Sequence, residues 1–183
     1  MAFRFVGYAI VSADGMLAAD QRGLPASLRF PGDQRFFEAG LNKADLIVHG
    51  RNSEENQPRS PLRRRLIATR SVVKPARDPN NPNATLWNPA HAPLEEAALA
   101  AGVCEGTVAA IGGTSIFDMF LDRYDTFYLT QAPRVQLPGG VPVFSGIPPR
   151  SPQQILQAHG LHPGAPQLLD AAGDVSVVGW TRG

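Results

Sequence analysis

Cysteine occurs once, at Cys104, in 183 residues, so no internal disulfide can form and metal sites built on several thiolates are excluded. Neither sign of charge dominates. Seventeen Lys and Arg against 16 Asp and Glu leave a net charge of +1, too weak an overall field to draw in nucleic acid or an anionic membrane. No apolar run reaches the roughly 20 residues needed to span a bilayer. The N-terminal Met1-Ala2-Phe3-Arg4-Phe5-Val6 lacks the basic and apolar regions of a secretory signal. The expectation is a cytoplasmic protein whose partner is a small molecule, with no nucleic acid and no membrane, and with a homodimer left open. His49, His91, His159 and His162 fall in separate segments without metal-ligand spacing, so no metal is expected.

What is present points to one layered domain. Hydrophobic residues make up 43% and charged residues 18%, and this length supports one well-buried core but is short for two, so residues 1–183 are read as a single domain. Apolar runs alternate with turn residues and amphipathic stretches, which favours α/β over a helical bundle. Strands are expected at Phe3 to Val11, Asp45 to His49, Leu66 to Thr69, Val108 to Ile111 and Phe127 to Thr130. Helices are expected from Pro31, from Pro93 to Ala101 and from Ser115 to Leu121. Ser12 to Gly23 reads as a mobile loop. Pro75 to Pro93, with five prolines and four asparagines, reads as an irregular connection holding one short strand at Ala84 to Trp87. Beyond Pro133 the chain is rich in Gly and Pro, and only Gln153 to His159 and Val175 to Val178 hint at regular structure.

The most informative block is Ile111-Gly112-Gly113-Thr114-Ser115-Ile116-Phe117. A strand that ends in two glycines and turns into a helix lets backbone approach a ligand closely and aims unpaired N–H groups at it, which suits a phosphate. Two further strands end in Gly50-Arg51-Asn52-Ser53 and Arg70-Ser71, and open α/β sheets place ligands at such strand ends.

Taken in order, these blocks resemble the dihydrofolate reductase superfamily, which includes the reductase domain of riboflavin biosynthesis. The resemblance runs from about Phe3 to Phe144. Ser12-Ala13-Asp14-Gly15-Met16-Leu17-Ala18 is similar to the loop after the first strand, especially in the riboflavin branch. Gly50-Arg51-Asn52-Ser53 and Leu66-Ile67-Ala68-Thr69-Arg70-Ser71 resemble two cofactor-side blocks of the folate branch. Ile111-Gly112-Gly113 matches the pyrophosphate turn and Phe127-Tyr128-Leu129-Thr130 the next strand. The resemblance implies a three-layer fold with a central mixed, mostly parallel sheet flanked by helices, NADPH lying across the strand ends, and a cis peptide between the two glycines.

It also implies roles. Leu17 and Ala18 would line the nicotinamide side. Arg51, Asn52, Ser53, Arg70 and Ser71 would meet the adenosine phosphate, and paired guanidinium donors suit a 2'-phosphate on their own chemistry. Gly112, Gly113, Thr114 and Ser115 would face the pyrophosphate. Asp33 would be the carboxylate that binds and helps to protonate a pterin-type heterocycle, with Thr130 as its hydrogen-bonding partner and Phe37 and Ile111 as apolar walls. Arg63 falls where the folate branch grips the glutamate tail of its substrate; a run such as Arg63-Arg64-Arg65 is more often a solvated basic edge or a ribose phosphate site. A second register, through Leu24-Pro25-Ala26-Ser27-Leu28, puts Ser27 where the acid should be. Three activities stay open: a dihydrofolate reductase-like enzyme, a riboflavin-type reductase of a ribosylaminopyrimidinone, and a non-catalytic NADPH or pterin binder. Pro138-Gly139-Gly140-Val141-Pro142-Val143-Phe144 leans toward the riboflavin branch, and the C-terminal region reads as too rich in Gly and Pro for the folate enzymes' long closing hairpin.

Overall fold

The computed structural model describes residues 2–183, so Met1 of the expected domain lies outside it. Strand β1 (Phe3–Ser12) sits at the centre of the sheet, with β7 (Gly106–Ala110) and β8 (Tyr124–Ala132) parallel to it on either side. Past β7 come β3 (Leu46–Gly50), β4 (Arg65–Ala68) and β6 (Asn81–Trp87), all parallel, and the antiparallel β5 (Ala76–Asp78) closes that edge. Past β8, β12 (Val175–Arg182) runs antiparallel and pairs in turn with β10 (Leu161–Pro163) and β11 (Gln167–Asp170). The order is β10-β12-β8-β1-β7-β3-β4-β6-β5. A separate ladder joins β2 (Met16–Ala18) to β9 (Val141–Pro142).

Alternation along the central strands sorts the helices into two layers. Leu46 and Val48 of β3 and Val108 and Ala110 of β7 join one large cluster with α2 (Leu94–Ala100), α3 (Thr114–Met119) and α4 (Pro152–Ala158). Ile47 and Ala109, one residue out of phase, join Leu41 of α1 (Pro31–Leu41) on the other face. With both faces covered, the central strands read as continuous apolar runs, and that made them legible in the sequence. Helix α1 begins with proline in its first turn, where the fixed φ is preorganised, and carries Asp33 beside the positive end of the helix dipole. Among the described residues no helix is long and apolar enough to cross a membrane.

Three expectations change. The Pro75 to Pro93 connection holds two strands, because its prolines lie on edge or terminal positions where no ladder donor is needed. The C-terminal region does build a closing sheet: β12 has eight residues and pairs β8 from Ser176 to Thr181. Apart from Gly179 within β12, its glycines lie in turns and loops, and Gly139 and Gly160 adopt a positive φ there. The loop after β1 is anchored through its first half. Met16 N–H donates to Ser12 Oγ (3.0 Å), Leu137 N–H to the Asp14 carboxylate (3.0 Å) and Val143 N–H to the Gly15 carbonyl (3.1 Å).

Candidate functional site

A cleft of about 1240 Å³ opens at the carboxyl ends of the parallel strands, bounded by α1, the segment after β3 and the turn after β7. That exceeds the usual 300–1,000 Å³ of a single small-molecule pocket, so there is room for two ligands side by side. Every candidate residue named from the sequence lines this one cleft except Arg63 and Ser27.

At one end the chain presents backbone and cations. Gly112 and Gly113 are joined by a cis peptide, and Gly112 has a φ of +110° that a side chain would strain. Gly50 N–H donates to the Gly112 carbonyl at 2.8 Å, tying the end of β3 to the diglycine turn. Arg51 follows β3 and Arg70 lies two residues beyond β4, both exposed at the rim. Asn52, Ser53 and Ser71 stand beside them in the cleft wall, with Leu17 and Ala18 of β2 contributing apolar surface. Two hydroxyls are already engaged. Thr114 Oγ1 donates to the Pro142 carbonyl at 2.6 Å, and Ser71 Oγ shares a 3.0 Å hydrogen bond with Thr69. A side-chain-free turn flanked by two exposed guanidinium groups suits a phosphorylated dinucleotide, so the residues present fit NADPH.

At the other end α1 lays one face over the sheet. Asp33, Phe36, Phe37 and Gly40 recur at helical spacing, above Tyr128 and Thr130 of β8 and their register partners Tyr8 and Ile10 of β1. Asp33 is only 8% exposed. Burial pushes its carboxyl up to about 6, with the Thr130 hydroxyl pulling the other way. Ile111 and Phe37 pack against the apolar cluster beneath α1. Ser27, by contrast, is exposed in the short turn Ala26–Leu28, and Asp33 is the residue that faces the cleft.

Three wall residues escaped the sequence reading. Tyr8 stacks on Tyr128 with ring centroids 5.2 Å apart, while Phe36 meets Tyr128 edge-on at 5.3 Å and Phe37 meets Tyr8 edge-on at 5.9 Å. Burial, reinforced by Tyr128, pushes the Tyr8 phenol up to about 12. The signal was there: Tyr8 precedes Ile10, and Tyr128 precedes Thr130, by the two residues that share a strand face.

Arg63 departs from its expected place. It is buried outside the cleft, donating to Glu55 at 2.9 Å and to Asn42 Oδ1 at 2.8 Å. The basic run is not a solvated edge either. Arg65 is fully buried on β4 and donates to Glu55 Oε1 (2.7 Å), the Ser60 carbonyl (2.8 Å) and His49 Nε2 (3.1 Å). Strand alternation explains the pattern: Arg63 and Arg65 share a phase and point inward, whereas Arg64 is exposed. Burial opposes charge on Glu55, but hydrogen bonds from Arg65, the Gln57 amide and Arg63 outweigh it and hold the carboxyl below the ordinary range. Burial holds His49 below the usual imidazole range, so its ring is neutral.

No protein-family model matches the chain, and no curated protein matches it in sequence. Solved structures do. The chain superposes on a protein described as a riboflavin biosynthesis protein from Shewanella sp. PV-4 with a TM-score of 0.67 at 20% identity, covering 100% of this chain and 99% of that one. Dihydrofolate reductase from Enterococcus faecalis, solved with NADP(H) and RAB-propyl, gives a TM-score of 0.64 at 17% identity over 98% of this chain and 96% of that one. A diaminohydroxyphosphoribosylaminopyrimidine deaminase/5-amino-6-(5-phosphoribosylamino)uracil reductase from Thermotoga maritima gives 0.63 at 17% identity; the match covers 98% of this chain and 56% of that one. The chain has the dihydrofolate reductase-like fold.

Proposed function

We propose that this protein is an NADPH-dependent reductase acting on a flat, conjugated nitrogen heterocycle of the pterin type. The observation that carries the reading is the buried carboxyl of Asp33 beside Thr130, in the same cleft whose far end holds the diglycine turn, Arg51 and Arg70. Reducing a ring C=N bond takes a hydride at carbon and a proton at nitrogen, and NADPH supplies the hydride. The chain supplies the rest. Arg51 and Arg70 take the adenosine 2'-phosphate, and Asn52, Ser53 and Ser71 add neutral donors near it. The backbone of Gly112 to Ser115 faces the pyrophosphate, with Leu17 and Ala18 along the nicotinamide. The rings of Phe36, Phe37, Tyr8 and Tyr128 hold the acceptor flat and exclude water. Asp33 hydrogen-bonds ring N–H groups and, because its carboxyl titrates near about 6, passes a proton to the nitrogen as the carbon is reduced.

A second reading is favoured by one observation. The Arg63 fork is filled by Glu55 and Asn42, so nothing at that position is left to grip an acidic substrate tail. This favours an acceptor without a glutamate tail, such as a ribosylaminopyrimidinone. The likeness to the Shewanella protein points the same way.

The test is a titration with NADPH followed by NADPH oxidation assays with dihydrofolate, a dihydropterin and the ribosylaminopyrimidinone in parallel. Saturable binding and oxidation with a pterin support the first reading. Oxidation with the pyrimidinone alone selects the second. Binding without turnover on any acceptor makes the protein a binder, and no binding at all defeats both enzymatic readings.

A further inference from the structure

The cluster beneath the cofactor end has features that fold stability does not explain. Glu55, Arg63 and Arg65 form a buried ion triad, and a buried triad is often no more stabilising than apolar residues of the same volume. The Nε atoms of both arginines are buried without a partner, which adds to its cost. Yet the cluster is connected in two directions. Upward, Glu55 belongs to the stretch between β3 and the turn at Ser60–Leu62 that carries Arg51, Asn52 and Ser53 and has no helix or strand of its own. Glu55 anchors this stretch three times. Its carboxylate accepts from Arg65 (2.7 Å) and from Arg63 (2.9 Å), and its carbonyl accepts from Ser60 Oγ (2.8 Å).

Sideways, the cluster reaches the phosphate turn. Arginine has donors only, so His49 Nε2 accepts from Arg65 and the ring proton sits on Nδ1, which donates to the Gly50 carbonyl at 2.6 Å. The other side of that residue, Gly50 N–H, donates to the Gly112 carbonyl. One continuous set of hydrogen bonds therefore runs from Glu55 through Arg65 and His49 to the diglycine turn. The two halves of the phosphate grip also lie close together: a Cβ built on Gly113 would meet Ser53 Oγ at 3.4 Å.

We infer that Glu55 is a positioning residue for the dinucleotide: with Arg65 and His49 it fixes the Arg51 to Ser53 stretch against the diglycine turn, and so sets the preference for a 2'-phosphorylated cofactor. The inference rests on the NADPH reading above. Glu55, its carboxylate held by Arg63 and Arg65, acts through Arg51, and its loss frees Arg51 from register without removing its charge.

The experiment measures Kd for NADPH and for NADH, by protein fluorescence, in the wild type, Glu55→Gln and Ser60→Ala. Glu55→Gln keeps size and removes the charge; Ser60→Ala removes only the hydroxyl that ties Glu55 and Arg65 together and is the milder change to the fold. The expected result is an NADPH-over-NADH preference that falls at least tenfold in Glu55→Gln and two- to fivefold in Ser60→Ala. A role in fold stability alone would not alter this ratio among folded molecules. An unchanged ratio in folded Glu55→Gln, or in Ser60→Ala should Glu55→Gln fail to fold, overturns the inference and leaves the NADPH reading standing. A wild type that binds neither nucleotide removes both.

Discussion

Gly32 of α1 lies so close to Leu169 of β11 that an added Cβ would come within 2.0 Å of the Leu169 carbonyl oxygen. Strand β11 thus clasps the first turn of the helix that carries Asp33, and both sides of the contact are backbone. Neither can swing aside. Gly32→Ala is therefore expected to cost about 1–3 kcal/mol in a denaturant unfolding curve, the range for forced overpacking. Because Asp33 is the next residue, turnover should fall more than NADPH affinity. Equal stability and equal turnover would mean that the clasp yields easily and does not set the position of Asp33.

Asp33 itself gives a paired forecast. Asp33→Asn keeps the shape and removes the titrating group, so turnover should drop by on the order of 100-fold or more, with NADPH affinity nearly unchanged. Unaltered rates would take Asp33 out of the chemistry. Stability should move the other way. The carboxyl is raised from 3.8 to about 6 in the folded protein, so its contribution is full below about 4 and lost as pH rises through about 6, where the buried group must ionise. The asparagine variant has no such loss. Relative to wild type it should gain on the order of 2–3 kcal/mol between pH 4 and pH 8, and a flat difference across that range would show that Asp33 is not desolvated.

The sheet centre and most of the cleft were legible for one reason: these parts depend on local signals. Continuous apolar runs marked β3 and β7, the two glycines marked the turn after β7, and Pro31 with Asp33 marked the start of α1. What stayed hidden depends on contacts distant in sequence. Nothing local shows that Tyr8 meets Tyr128, 120 residues away, and only strand pairing brings them together. Arg63 and Arg65 looked like a solvated run because their burial rests on Glu55, whose carboxylate arrives from an irregular stretch with no pattern of its own. The closing sheet was missed because glycine and proline were counted over the whole C-terminal region, although they cluster in its turns.

Arg51 and Arg70 stand at the ends of separate strands and are both exposed, so their contribution to phosphate binding should be additive and sensitive to salt. A hydrogen bond to a charged group is worth about 1.5–3 kcal/mol. Each of Arg51→Gln and Arg70→Gln should therefore weaken NADPH binding by roughly 10- to 100-fold while leaving NADH binding little changed. Wild-type NADPH affinity should fall as ionic strength rises, more steeply than in either variant. Parallel losses for NADPH and NADH would place these side chains away from the 2'-phosphate.

The aromatic wall separates acceptor binding from cofactor binding. Tyr128 is packed between Tyr8 and Phe36, and aromatic contacts of this kind are worth about 0.5–1.5 kcal/mol each beyond area burial. Tyr128→Ala should therefore raise the acceptor KM by roughly 2- to 12-fold with NADPH affinity unchanged. Tyr8→Phe tests whether the wall takes part in proton transfer. Burial keeps the Tyr8 phenol neutral up to about 12, so it carries no charge at any working pH, and the variant should keep the wild-type pH–rate profile with its limb near 6. A limb that moves in Tyr8→Phe would mean that the phenol hydrogen-bonds the acceptor or Asp33 during the reaction, and the acceptor ring would then sit deeper against β1 than the Asp33 geometry alone requires.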